Sequence, residues 1–323
     1  MPTADKLAVR RFGVTDIPDL AGKTVAITGS NNGLGLQSAT ALARAGARVI
    51  LLCRNQETGR AALAKVRAIS PDGADHQLVR LDLTSLAAVR DAADSTKALA
   101  PRLDVLINNA GLMAVPFDRT DDGFEKQIGT NHFGHFVLTD ALLPSLLATN
   151  QPRVVTLASV AHKRGAIVLD DLNYHQRPYT RMGAYSQSKL ANLIYAAELG
   201  RRSAAAGSSL ISVAAHPGIA ATNLFDSMVP PIPGALTVTH LGLRAIGNNE
   251  RGGALSQLYA ATMPDVRNGD YLGPNQLGGA RGPVRRSKRT RSARDETVAA
   301  GLWDKSVELT GADYSALAST VAE

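Results

Sequence analysis

The sequence predicts an α/β fold, a doubly wound parallel sheet in a single domain. Short β-rich runs alternate with longer helical stretches from Thr24 onward, several of those runs are apolar throughout, and a glycine-rich turn follows the first of them. Strands are expected at residues 24–28, 48–53, 77–81, 105–108, 153–157 and 211–215. Val49-Ile50-Leu51-Leu52 illustrates the continuous apolarity that a sheet covered on both faces requires. Helices are expected between them, at 34–45, 57–69, 86–99, 124–147 and 185–202. After Pro217 the pattern loosens around Pro230, Pro231, Pro233 and Gly234, a helix resumes over 235–263, and 269–274 reads as a last short edge strand.

Composition agrees with one large core. The chain has 323 residues, 45% of them hydrophobic, enough to fold without a second domain. Residues 1–20 read as an N-terminal arm, and 21–323 as the domain with a C-terminal extension. Cys53 is the one cysteine, so neither an intrachain disulfide nor a cysteine metal cluster is expected, and a reducing, cytoplasmic setting fits. Charged residues interrupt the arm (Asp5, Lys6, Arg10, Arg11, Asp16, Asp19), which leaves no stretch for a signal peptide or membrane anchor.

The net charge of +7 has a local origin. Arg281, Arg285, Arg286, Lys288, Arg289, Arg291 and Arg294 hold seven positive charges with no acid among them, and without them Lys plus Arg fall to 28, equal to Asp plus Glu. A solvated basic loop over 281–294 is the expectation. No aromatic side chain interleaves with it to stack bases, so no nucleic acid is expected as partner.

The motifs that carry chemistry fall at strand ends. Thr28-Gly29-Ser30-Asn31-Asn32-Gly33-Leu34-Gly35 joins the first strand to a helix. Such a turn lets a pyrophosphate approach the backbone and meet free N–H groups at the helix N-terminus. The second strand ends in Cys53-Arg54-Asn55, where a carboxylate would bind the ribose 2′-hydroxyl of NAD. Arg54 instead suits the 2′-phosphate of NADP, so NADP(H) is favoured, with NAD(H) still open. Asp82 and Leu83 end the third strand, and Asn109, Ala110 and Gly111 the fourth, at the edge where open α/β sheets bind ligands.

Tyr185 and Lys189 stand four apart and share one face of a helix, so a nearby ammonium would favour phenolate. Ser159 closes the fifth strand, where its hydroxyl can reach the same edge. Asn131 interrupts a helical stretch in which asparagine is a poor helix former; a local break or a water held by its amide would account for it. His162, His175 and His216 have no metal-site spacing, and no metal is expected.

In this order the motifs resemble those of the short-chain dehydrogenase/reductase family, a Rossmann-type fold. Residues 28–35 match its TGxxxGxG turn, 108–111 its NNAG segment and 185–189 its YxxxK element, and the likeness runs over about residues 20–222. Cys53-Arg54-Asn55, the long span 160–184 and His216-Pro217-Gly218 with Thr222 are similar to the branch holding retinol-dehydrogenase-like and protochlorophyllide-reductase-like enzymes. Leu302-Trp303-Asp304 and Leu309-Thr310-Gly311 resemble bacterial members. One departure is Ala158, where the branch often has a second serine. The missing anchor is another, and it argues against a lipid-embedded retinoid as substrate.

The resemblance implies an oxidoreductase that moves a hydride between NADP(H) and a carbonyl/alcohol pair. Tyr185 would be the general acid or base, and Lys189 would lower its pKa and hold the nicotinamide ribose. Ser159 would polarise the substrate oxygen, and Asn131 would hold a water relay. Pro217, Gly218 and Thr222 would lie beside the nicotinamide. Residues 113–117, 160–184 and 223–243 would select a moderately lipophilic small molecule. A homodimer or homotetramer is implied. A non-catalytic dinucleotide sensor or scaffold is the alternative.

Overall fold

The computed structural model describes residues 11–71, 73–219 and 248–318. Its centre is one eight-stranded sheet: β1 (Thr24–Thr28), β2 (Arg48–Cys53), β3 (Gln77–Arg80), β4 (Val105–Asn108), β5 (Arg153–Leu157), β6 (Ile211–Ala215), β7 (Tyr271–Gln276) and β8 (Arg281–Arg286). The spatial order is β3-β2-β1-β4-β5-β6-β7-β8, parallel except for the last pair. The chain therefore reverses its direction of winding at β1, which pairs with β2 on one side and β4 on the other. That reversal opens a crevice at the strands' C-terminal ends.

Successive strand residues face opposite layers. Ala26, Ile50, Leu52, Leu106 and Val154 join one apolar cluster, whereas Val25, Ile27, Val49, Leu51, Ile107 and Val155 join another. The first layer holds α3 (Leu86–Leu99), α5 (Gly134–Leu147) and α6 (Arg181–Ala205), the second α1 (Gly33–Arg44), α2 (Gln56–Arg67) and α7 (Glu250–Thr262). Two C-terminal helices, α8 (Glu296–Thr310) and α9 (Ser315–Ala318), extend the first layer, where Trp303 and Tyr314 pack on Phe136 and Tyr195. In the N-terminal arm, Phe12 is buried edge-on against Tyr259.

Three expectations change. The helix expected over 124–147 is broken: a short turn, α4 (Lys126–Ile128), passes into a π-helical turn over Gly129–Phe133 before α5 begins. Such a turn carries one extra residue, and Asn131 sits at its middle. The strand expected at 269–274 is Tyr271–Gln276 and is neither last nor at the edge. β8 lies outside it and is the first half of the basic run, not a solvated loop. Counter-charge from outside the run makes this possible. Arg286 pairs with both oxygens of Asp270 at 3.0 and 3.1 Å, Arg289 donates to Gly269 O, and Val284, two residues before Arg286, is buried. Of the helix expected at 235–263, Glu250–Thr262 lies within the described residues.

Candidate active site

A cleft of about 430 Å³ fills the crevice between β1 and β4. Gly29, Asn31, Asn32, Gly33, Leu34 and Gly35 line it, as do Arg54, Asp82, Leu83, Asn109, Ala110, Gly111, Tyr185, Lys189 and Pro217. Both ends of the sequence reading thus meet in one space. Asn131, Ser159 and Gly218 are not among the residues that line it, although Ser159 reaches the Tyr185 hydroxyl, and Thr222 lies outside the described residues, together with the substrate segment 223–243.

The glycine turn is held by close packing. Gly29 has φ +64°, and a Cβ there would lie 3.0 Å from Ala110 Cα; one at Gly35 would overlap the Gly29 carbonyl oxygen. Gly35→Ala is expected to cost about 3 kcal/mol, by overpacking against backbone that cannot yield. A lowered urea midpoint would show it, and an unchanged midpoint would mean the turn is softer than its packing indicates. Gly33 is different: its φ is +50°, and the space before it is open up to Glu250. Asn32 caps α1 without a side-chain bond, which leaves the first N–H groups of the helix facing the cleft. Arg54 is exposed, and no ion pair or hydrogen bond holds its guanidinium among the described residues.

Thr28 ties β1 to β4. Its Oγ1 accepts from Asn109 N and Ala110 N, each at 2.9 Å, and meets His135 Nε2 at 2.9 Å. On its other side, His135 Nδ1 donates to Asn131 O at 3.0 Å. Asn109 uses its amide to hold the carbonyls of Thr28 and Gly29. One hydrogen-bonded chain therefore runs from the glycine turn to the π-helical turn.

Asn131 is buried, and its amide is bonded at both Nδ2 and Oδ1. Nδ2 donates to Leu112 O and Ser188 Oγ, each at 2.9 Å, while Oδ1 accepts Leu112 N at 2.7 Å. The local break is present, but both amide hydrogens are taken within the protein. A water at Asn131 would therefore have to donate to an oxygen, Oδ1 having one partner for its two lone pairs, while the side chain clips the backbone after β4.

Tyr185 and Lys189 lie one turn apart on α6, both almost fully buried. Lys189 Nζ donates to Leu157 O at 3.0 Å and sits 5.9 Å from the centre of the Tyr185 ring. Burial lowers the Lys189 pKa to about 8. Burial also raises that of Tyr185, and Ser159 pulls it back down. The expected lowering by Lys189 is not seen: burial sets the net direction, Ser159 is what opposes it, and the phenol is held protonated. Ser159 is itself fixed at the start of a 3-10 turn, its Oγ accepting Ala161 N at 3.2 Å. Met113 and Ala114 pack on Tyr185, with Ala161 beside them, so two of the three predicted substrate segments reach the phenol.

Sequence reasoning missed His135 and Glu250, and took His216 as part of its His-Pro-Gly motif without a role of its own. His216 is buried, accepts Gly218 N through Nδ1 at 3.3 Å and meets Ser287 at 3.1 Å, which fixes the turn carrying Pro217. Cys53 is buried beside Ser30, and desolvation raises its thiol pKa, in keeping with a passive role. Among the described residues no helix is long and apolar enough to cross a membrane.

With this geometry, the chain belongs to the short chain dehydrogenase family, whose pattern matches residues 23–231, and it is an oxidoreductase. It is 39% identical to mouse (Mus musculus) retinol dehydrogenase 14 over 325 residues, covering 94% of this chain and 93% of that one. It is 45% identical to human (Homo sapiens) retinol dehydrogenase 13 over 206 residues, 64% of this chain and 61% of that one. A crystal structure of a Mycobacterium Paratuberculosis protein is 43% identical, with a TM-score of 0.78, covering 94% of this chain and 99% of that chain.

Proposed function

We propose that the protein reduces carbonyl compounds, or oxidises the corresponding alcohols, with NADP(H), and that Tyr185 is its general acid or base. The observation that carries this reading is the single cleft shared by the glycine turn, Arg54, Tyr185 and Lys189. The open space before Gly33 and the free N–H groups of α1 suit a diphosphate, and an exposed guanidinium without an acidic partner suits a 2′-phosphate. When bound, the nicotinamide supplies the hydride. The chain's own residues manage the oxygen: Tyr185 gives its hydroxyl proton to the carbonyl oxygen during reduction and takes one back during oxidation, while Ser159 holds that oxygen by a hydrogen bond. Lys189 orients the nicotinamide ribose and, as a cation beside the ring, stabilises the phenolate left behind. Kinship with retinol dehydrogenases and the apolar Met113 favour a moderately lipophilic substrate.

Arg54→Ala tests the cofactor end. NADPH affinity is expected to fall about 10- to 100-fold, the worth of a charge-assisted hydrogen-bonded pair, with NADH affinity unchanged. The check is a titration of nicotinamide fluorescence with each dinucleotide. Equal losses for both would overturn the assignment of Arg54 to the 2′-phosphate.

A further inference from the structure

Glu250 and Asp82 are the two acidic side chains that line the cleft among the described residues, and Glu250 is the one beside the glycine turn. It is the first residue of α7, and Asn249 caps that helix by accepting Gly252 N at 2.8 Å. Gln257 lies seven residues on, hence on the same helical face, and its Nε2 donates to Leu34 O at 3.3 Å and to Ser38 Oγ at 2.5 Å. Ala254, on that face too, is buried. The stretch that fastens α7 to α1 therefore also aims Glu250 at the first turn of α1. Among the described residues outside Gly33's own turn, Oε1 of Glu250 is the atom within 4 Å of where a Cβ on Gly33 would stand, at 3.8 Å. No hydrogen bond or ion pair holds the carboxylate among the described residues, and it lines the cleft beside Gly33 and Leu34.

We propose that Glu250 is a charge gate at the diphosphate end of the cleft, which weakens dinucleotide binding and speeds its release. This rests on the cofactor reading above and deepens it. The N-terminus of α1 and Arg54 attract the dinucleotide at two places, and Glu250 opposes the first of them only. A carboxylate a few ångströms from a diphosphate repels it strongly in a partly enclosed site, and salt screens the repulsion. The wild-type cleft thus gives up affinity for faster exchange of oxidised and reduced cofactor.

Glu250→Gln keeps the size and removes the charge. At low ionic strength it is expected to tighten NADPH and ADP about fivefold, to slow NADPH release in stopped-flow displacement by a similar factor, and to lose most of that advantage in 1 M salt. Adenosine 2′-monophosphate, which carries no diphosphate, should bind wild type and variant alike. Tightening confined to ADP and NADPH bears the proposal out. If wild type binds NADPH while Glu250→Gln binds ADP no more tightly, the gate is overturned and the cofactor reading survives. If wild type binds neither NADPH nor NADH, both fall together.

Discussion

Tyr185→Phe is expected to lower kcat for carbonyl reduction about a thousandfold while leaving NADPH affinity within about twofold of wild type. The phenol is buried and held in its protonated state, so the variant loses the proton donor and little else. The ring keeps its packing on Met113 and Ala114, and Lys189 keeps its bond to Leu157 O. The measurement is single-turnover reduction of an aldehyde panel with saturating NADPH, alongside the binding titration. A loss below about tenfold would remove Tyr185 from proton transfer, and a parallel loss of NADPH affinity would recast it as a cofactor-binding side chain.

The second large effect is on stability in acid. His132 and His216 have pKa values near 3 and His135 near 4, all through burial, against an ordinary value of 6.5. The unfolded chain takes up protons at these rings near pH 6.5, whereas the folded chain refuses them until pH 3 to 4. Below pH 6.5 the unfolded state therefore binds more protons, and stability falls as the pH is lowered. At pH 5 each ring accounts for about 2 kcal/mol, so the three together approach 6 kcal/mol, comparable with the whole stability of many domains. His76 and His162 are lowered as well and act in the same direction, while Glu125 and Asp140, raised by burial, offset part of the loss. Urea midpoints at pH 7, 6 and 5 should fall steeply. A midpoint that stays flat over this range would mean that these rings are solvated in the folded protein.

How much of this was legible beforehand differs with the range of the interactions. Six strands were readable because a buried parallel sheet writes itself as short apolar runs, and five of the six have the expected bounds; the third ends one residue early, at Arg80. The glycine turn, Arg54, Tyr185 and Lys189 were readable because local spacing states their chemistry. The π-helical turn was half legible: Asn131 signals a disturbance, but its form depends on Leu112 and Ser188, which lie 19 and 57 residues away. His135 gives no local sign at all, since its meaning comes from Thr28, 107 residues earlier. Glu250 reads as an ordinary first-turn acid until α7 is seen against α1. The basic run misled because charge density predicts solvation, whereas the Asp270 that partners Arg286 lies before the strand it stabilises.

The C-terminal aromatic cluster gives the molecule a built-in optical probe. The chain has a single tryptophan, Trp303, and it is buried on α8 between Tyr195 and Tyr314, with Arg202 over its ring. His132 touches Tyr195 and reaches Ser306 on the same helix, so one of the three acid-sensitive rings stands at the joint where α8 docks. Indole emission consequently follows the seating of that helix and not the cleft. On acidification, a red shift that precedes loss of far-ultraviolet ellipticity marks the C-terminal helix peeling away from a sheet that is still folded; coincident changes mark one cooperative unit.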